Sequence, residues 1–146
     1  MHLKIVALLM VLSCLGTVAS LGDDKVSVSL YLAQNTPLPP ETRHAPEKLS
    51  HRLHEVFGFK HYELLKTEEI DLASHWQQWV LPRKDFFIRL EPLPRTADQA
   101  PMLDYELYKD GFSVVKGKYE PREGTPLFIN GPDFKQGQLV FVLEAR

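Results

Sequence analysis

Thiol chemistry is almost absent from this chain. Its one cysteine, Cys14, lies in an N-terminal stretch that reads as a removable leader. Cleavage beyond it leaves no disulfide, no thiolate metal site and no cysteine nucleophile. Glycosylation acceptors are missing too: Asn35 and Asn130 stand in N-T-P and N-G-P, not in N-x-Ser/Thr. There is no G-x-S-x-G elbow, no P-loop and no dinucleotide fingerprint. Neither sign of charge dominates: 17 basic and 19 acidic side chains give a net charge of −2, which provides no electrostatic footprint for nucleic acid. No repeat, low-complexity tract or second domain boundary interrupts the chain, and 146 residues suit one domain with a core of its own.

What the sequence does contain begins with residues 1–20, MHLKIVALLMVLSCLGTVAS. Lys4 supplies a positive start, Ile5 to Leu15 an apolar run too short to span a bilayer, and Val18-Ala19-Ser20 a small-residue cleavage site. That is the anatomy of a secretory signal peptide. Val11-Leu12-Ser13-Cys14 also resembles a bacterial lipoprotein box, but the cysteine comes early and the apolar run before it is short. Cleavage after Ala19 or Ser20 is therefore the expected processing, and a membrane contact is expected only if Cys14 is lipidated. An exported chain without disulfides or sequons points to a bacterial periplasm or cell envelope. Loss of Lys4 leaves 16 basic against 19 acidic side chains, a mature charge near −3.

Residues 21–146 are expected to form a single α+β domain, mostly antiparallel sheet. Lys25 to Gln34 alternates, with Val26, Val28, Leu30 and Leu32 on one face, and predicts a strand with one face in the core. Four prolines stiffen Asn35 to Pro46. Leu49, Leu53, Val56 and Phe57 then mark one stripe of a helix from Pro46 to Phe57, with Gly58 as its C′ residue. This is the one helix expected near the start of the mature chain. Strands are expected over Lys60–Leu72, His75–Leu81 and Asp85–Glu91, the last two joined through Pro82-Arg83-Lys84, although Trp76, Trp79 and Val80 also suit a helix with Leu72. The plainest signal is MLDYELYKDGFSVVKGKY, two runs joined by Asp110-Gly111, which suits a type I′ hairpin. Pro126–Asn130 and Gln138–Ala145 complete the set, and the unbroken apolar middle of the last strand predicts burial on both faces. These elements make a helix and an antiparallel meander that closes into a curved sheet or small sandwich.

The segments VFGFKHYELLKTEEIDL and FINGPDFKQGQLVFVLEA resemble small exported bacterial proteins without an assigned activity. The resemblance transfers no function.

Histidine and tryptophan supply the candidate binding residues. His51, His54 and Glu55 form H-R-L-H-E, in which the glutamate lies outside the histidine pair, unlike H-E-x-x-H or H-x-x-E-H. On the expected helix His51 points away from the apolar stripe and His54 lies at its edge. No metal or other cofactor is expected. His54 and His61, with Trp76 and Trp79, are the candidates for ligand contact, although two tryptophans three apart on a strand face opposite ways. Acidic pairs such as Glu68-Glu69 show neither the burial nor the crowding that would separate two carboxylate pKa values. No catalytic residue is assigned. The function expected is a non-catalytic envelope module that binds another protein, most naturally an envelope protein, or supports an assembly, through a strand edge or an exposed apolar patch, with Val26 to Leu32 as the candidate edge. The alternative is a small periplasmic hydrolase or ligand-binding protein that uses the histidine and tryptophan region.

The processed protein should lack its first 19 or 20 residues and carry no lipid. Intact-mass measurement of the exported form checks this, and a diacylated species beginning at Cys14 would refute it.

Overall fold

The computed structural model describes residues 25–73, 77–80, 85–95, 97–98 and 100–146, so the expected leader with Cys14, the ends of the expected His75–Leu81 strand with Trp76, and the turn expected at Pro82-Arg83-Lys84 lie outside the described residues. In chain order the elements are β1 (Lys25–Gln34), α1 (Glu47–Phe57), β2 (His61–Asp71), β3 (Gln77–Val80), β4 (Phe86–Leu93), β5 (Met102–Lys109), β6 (Phe112–Tyr119), β7 (Leu127–Phe134) and β8 (Gly137–Ala145). They form two four-stranded antiparallel sheets, β2-β1-β8-β7 and β3-β4-β5-β6. We call these sheet A and sheet B. The α+β reading holds, and of the two architectures expected the sandwich is the one formed.

Period-two patterning builds the interior. Val26, Val28, Leu30 and Leu32 of β1 and Leu139, Phe141 and Leu143 of β8 face sheet B, where they meet Phe86, Ile88, Leu90, Leu103 and Leu107. The other faces of β1 and β8 turn Tyr31, Ala33, Val140 and Val142 towards α1, which covers them with Leu49 and Leu53. The order is helix, sheet, sheet. The middle of β8 is buried on both faces, as its continuous apolar run predicts.

Two expectations about β1 fail. The strand is buried on both faces, Ser27 and Ser29 included. Such small hydroxyls are tolerated in the interior when their hydrogen bonds are met, and Ser29 Oγ lies 3.1 Å from Thr67 Oγ1. Nor is β1 an edge, because it pairs with β2 on one side and β8 on the other. Its lack of charge already argued against an edge, which proteins commonly guard with lysine or proline.

Local signals were otherwise reliable. Pro46 precedes the first helical residue, and Gly58 closes α1 at φ 80° with its N–H donating to the His54 carbonyl at 2.8 Å. Asp110 (φ 50°) and Gly111 (φ 81°) both adopt the positive φ that a type I′ turn requires. Tyr119 ties the far end of this hairpin to sheet A. Its buried hydroxyl is shared between the Thr125 carbonyl at 2.8 Å and the Leu143 carbonyl at 3.3 Å.

Placing proline at position 29 removes a strand N–H from the middle of sheet A. Ser29→Pro should cost about 3 kcal/mol or more and lower Tm by roughly 10 °C or prevent folding. Thermal melting checks this. A Tm within about 3 °C of the parent would return β1 to an edge.

Candidate functional site

The candidates from the sequence are dispersed. His54 sits on the last turn of α1 and is exposed. Its Nδ1 is 2.8 Å from the Phe59 carbonyl oxygen. A carbonyl only accepts, so Nδ1 carries the proton and the ring fastens the chain just past the helix. His51 Nε2 lies 3.6 Å from Glu55 Oε1, with both side chains largely in solvent. Within the H-R-L-H-E run, His54 is thus committed to the turn after its own helix, while Arg52 Nη1 donates to the Gly124 carbonyl across the 122–126 loop. His61 opens β2, half-buried, with its backbone opposite Gln34. Trp79 lies on β3, with its backbone opposite Ile88. Trp76 falls outside the described residues. Neither His54 nor His61 lines the cleft on the outer face of sheet B, around Arg89 and Lys116, or the cleft beside the start of α1, around Ser29 and Arg52. Among the described residues no three His, Cys, Asp or Glu side chains are placed to hold a metal ion, and no helix is long and apolar enough to cross a membrane.

A different feature emerges from the sheet borders. Two sheets leave four border strands, and unpaired N–H and C=O groups on a border can accept a foreign strand. On β2, the first half is covered: His44 bridges to Glu63, Ala45 N–H donates to Tyr62 O, and Leu64 N–H donates to Arg43 O. Its second half carries Lys66, Glu68 and Glu69. On β7, Gly131 and Pro132 break the register between Asn130 and Asp133, and proline has no N–H to offer. The third border, β3, shows four described residues. The fourth, β6, has eight, and its first five are all exposed.

Phe112 is 74% exposed, Val114 51% and Val115 38%, three of the four large apolar side chains exposed among the described residues. A register shift opposite Leu107 and Tyr108 places a bulge at Val114. The hairpin thus projects its apolar end into solvent, while buried Tyr119 anchors the other end.

Beside this edge, the outer face of sheet B is charged and ordered. Arg89 Nη2 meets Glu106 Oε2 at 2.7 Å, and its guanidinium lies 5.6 Å from the Tyr108 ring centroid. Phe87 stacks on Tyr108 with centroids 4.9 Å apart. Hydrogen bonds from the Ser113 and Tyr108 hydroxyls, together with the nearby charge of Arg89, hold the Glu106 carboxyl below its ordinary pKa. The registers arrange charge in rows across the strands. One row reads Arg89, Glu106, Lys116 and the other Glu91, Asp104, Lys118. Each row ends on a lysine at the open edge.

The sequence carried a trace of this site. Phe112, Val114 and Val115 crowd apolar groups at the start of β6 without strict alternation, and lysines follow. That β6 is a border is set by tertiary topology, which the hairpin signal alone does not reveal. Comparison of the chain with protein-family models, with curated proteins and with solved structures finds no match.

Proposed function

We propose that this is an exported, non-catalytic cell-envelope module that binds another protein by adding one strand of that protein to β6. The observation that carries the reading is the state of that edge: long, uncovered at its start and apolar at Phe112, Val114 and Val115. In strand addition, main-chain hydrogen bonds supply affinity and alternate side chains supply specificity. Burying an apolar side chain adds roughly 1.5–3 kcal/mol, so the exposed end of β6 offers a useful anchor.

The charge rows define the chemistry of the occupant. Beyond Lys116 and Lys118 the next strand outward meets positive charge, so the fitting partner carries carboxylates there and apolar residues against Phe112 and Val115. Opposite charges on neighbouring strands contribute roughly 0.2–1 kcal/mol each, whereas like charges repel. The lysines therefore select among extended segments. The alternative built on the histidine and tryptophan region finds less support: His54 is bonded to Phe59, and His61 lines neither the cleft on sheet B nor the one beside α1.

A photo-crosslinking amino acid at position 114, in protein made by the native host, tests this directly. One discrete partner should be captured at 114 and not at position 56, a control that is equally apolar and 60% exposed on the helix. Lys116→Gln with Lys118→Gln removes the selecting charges without setting carboxylates against Glu106 and Asp104, and should weaken capture severalfold while Tm stays within about 5 °C of the parent. Capture of the same species at 56, or none at 114, would overturn the reading.

A further inference from the structure

Away from β6, a cleft of about 510 Å³ opens on the outer face of sheet A, between the start of α1 and the 122–126 loop. Its floor follows from the alternation of β1. Where that strand passes beyond the helix its outward residues become small hydroxyls, and Ser29, Tyr31 and Thr67 line the hollow. The Ser29 and Thr67 hydroxyls are 3.1 Å apart, and Tyr31 shares their face of the sheet. Burial, followed by the charge of Glu144, pushes the Tyr31 phenol above its ordinary pKa, so it stays a neutral hydrogen-bonding group.

The walls are cationic. Lys48, Arg52, Arg122 and Arg146 line the cleft, against Glu144 as its only lining carboxylate side chain. Arg122 is already committed, with Nε and Nη2 donating to Glu120 Oε1 at 2.9 and 2.7 Å. The other three form no ion pair with a described carboxylate. Arg52 Nη1 donates to the Gly124 carbonyl at 3.3 Å, and its guanidinium lies 5.8 Å from the Phe128 ring centroid. Arg146 Nη2 reaches Ser27 Oγ at 3.5 Å. Guanidinium groups held on neutral acceptors keep their charge and further N–H donors for a ligand. Leu49, Leu64 and Pro126 add apolar surface to the same walls.

We propose that this cleft binds a small multivalent oxyanion, a phosphoryl or carboxylate compound held by Lys48, Arg52 and Arg146 over the hydroxyl floor. Converging cations around a hollow concentrate anions and make charge-assisted hydrogen bonds to their oxygens. The volume leaves room for an organic portion against Leu49 and Leu64. The site shares no residue with β6, so it stands or falls separately from strand addition.

Titration of isotope-labelled mature protein with pyrophosphate in one arm and citrate in the other, at fixed ionic strength, tests the proposal. At least one should shift the amides of residues 44–52 and 122–126 saturably, with Kd at or below about 1 mM. The responding arm identifies the oxyanion. Arg52→Gln and Lys48→Gln should each weaken binding about tenfold, and Lys60→Gln, exposed and outside the cleft, should not. Retained amide dispersion shows that a variant is folded. If neither probe saturates, or if Lys60→Gln weakens binding as much as the other two, the site does not exist.

Discussion

The antiparallel pairing of β1 with β8 constrains everything around it. Each strand is hydrogen-bonded on both sides within sheet A and buried on both faces. Such a pair cannot exist in water without two covers. Sheet B covers one face through Phe86, Ile88, Leu90, Leu103 and Leu107, and α1 covers the other through Leu49 and Leu53. Leu53 is fully buried, so Leu53→Ala would remove about 2–5 kcal/mol, a large share of the roughly 5–15 kcal/mol typical of a domain. The chain's first and last described strands make this pair, so the fold closes only when both ends meet.

With the centre fixed, the borders decide what the molecule offers to others. Backbone from residues 43–45 covers part of β2, and the Gly131-Pro132 bulge interrupts β7. Each is a recognised means of discouraging edge-to-edge association. On β6 the protection is partial. Lys116 and Lys118 guard its second half, and no described residue covers Phe112 to Val115. Tyr119 holds the strand to the rigid part of the sandwich, so the open half is presented on a fixed support. The helix leaves a second surface open, where α1 stops short of Ser29 and a cationic cleft remains.

Local chemistry made much of this fold legible. Asp110-Gly111 gave the hairpin because only particular residues accept positive φ at both turn positions. Leu49, Leu53 and Phe57 gave the helix, and the run Leu139 to Leu143 gave a strand buried on both faces. Strand order was less accessible. The serines at 27 and 29 suggested a solvated face, yet Thr67 and the side chain of Arg146 close over them. His54 attracted notice for its chemistry, but its partner, the Phe59 carbonyl, is supplied by the turn after the helix. Pairing between β1 and β8 joins residues more than a hundred positions apart. No short-range pattern encodes that contact, and through it β1 became central and β6 remained a border.

Amide hydrogen–deuterium exchange on the purified protein tests most directly whether the sandwich is closed at its centre and open at β6. Amides of Val26–Ala33 and Leu139–Leu143 should exchange only through global unfolding, whereas some of those of Phe112–Val115 should exchange at least ~100-fold faster. Equal protection throughout Phe112–Val115, or rapid exchange along β1, would contradict the account.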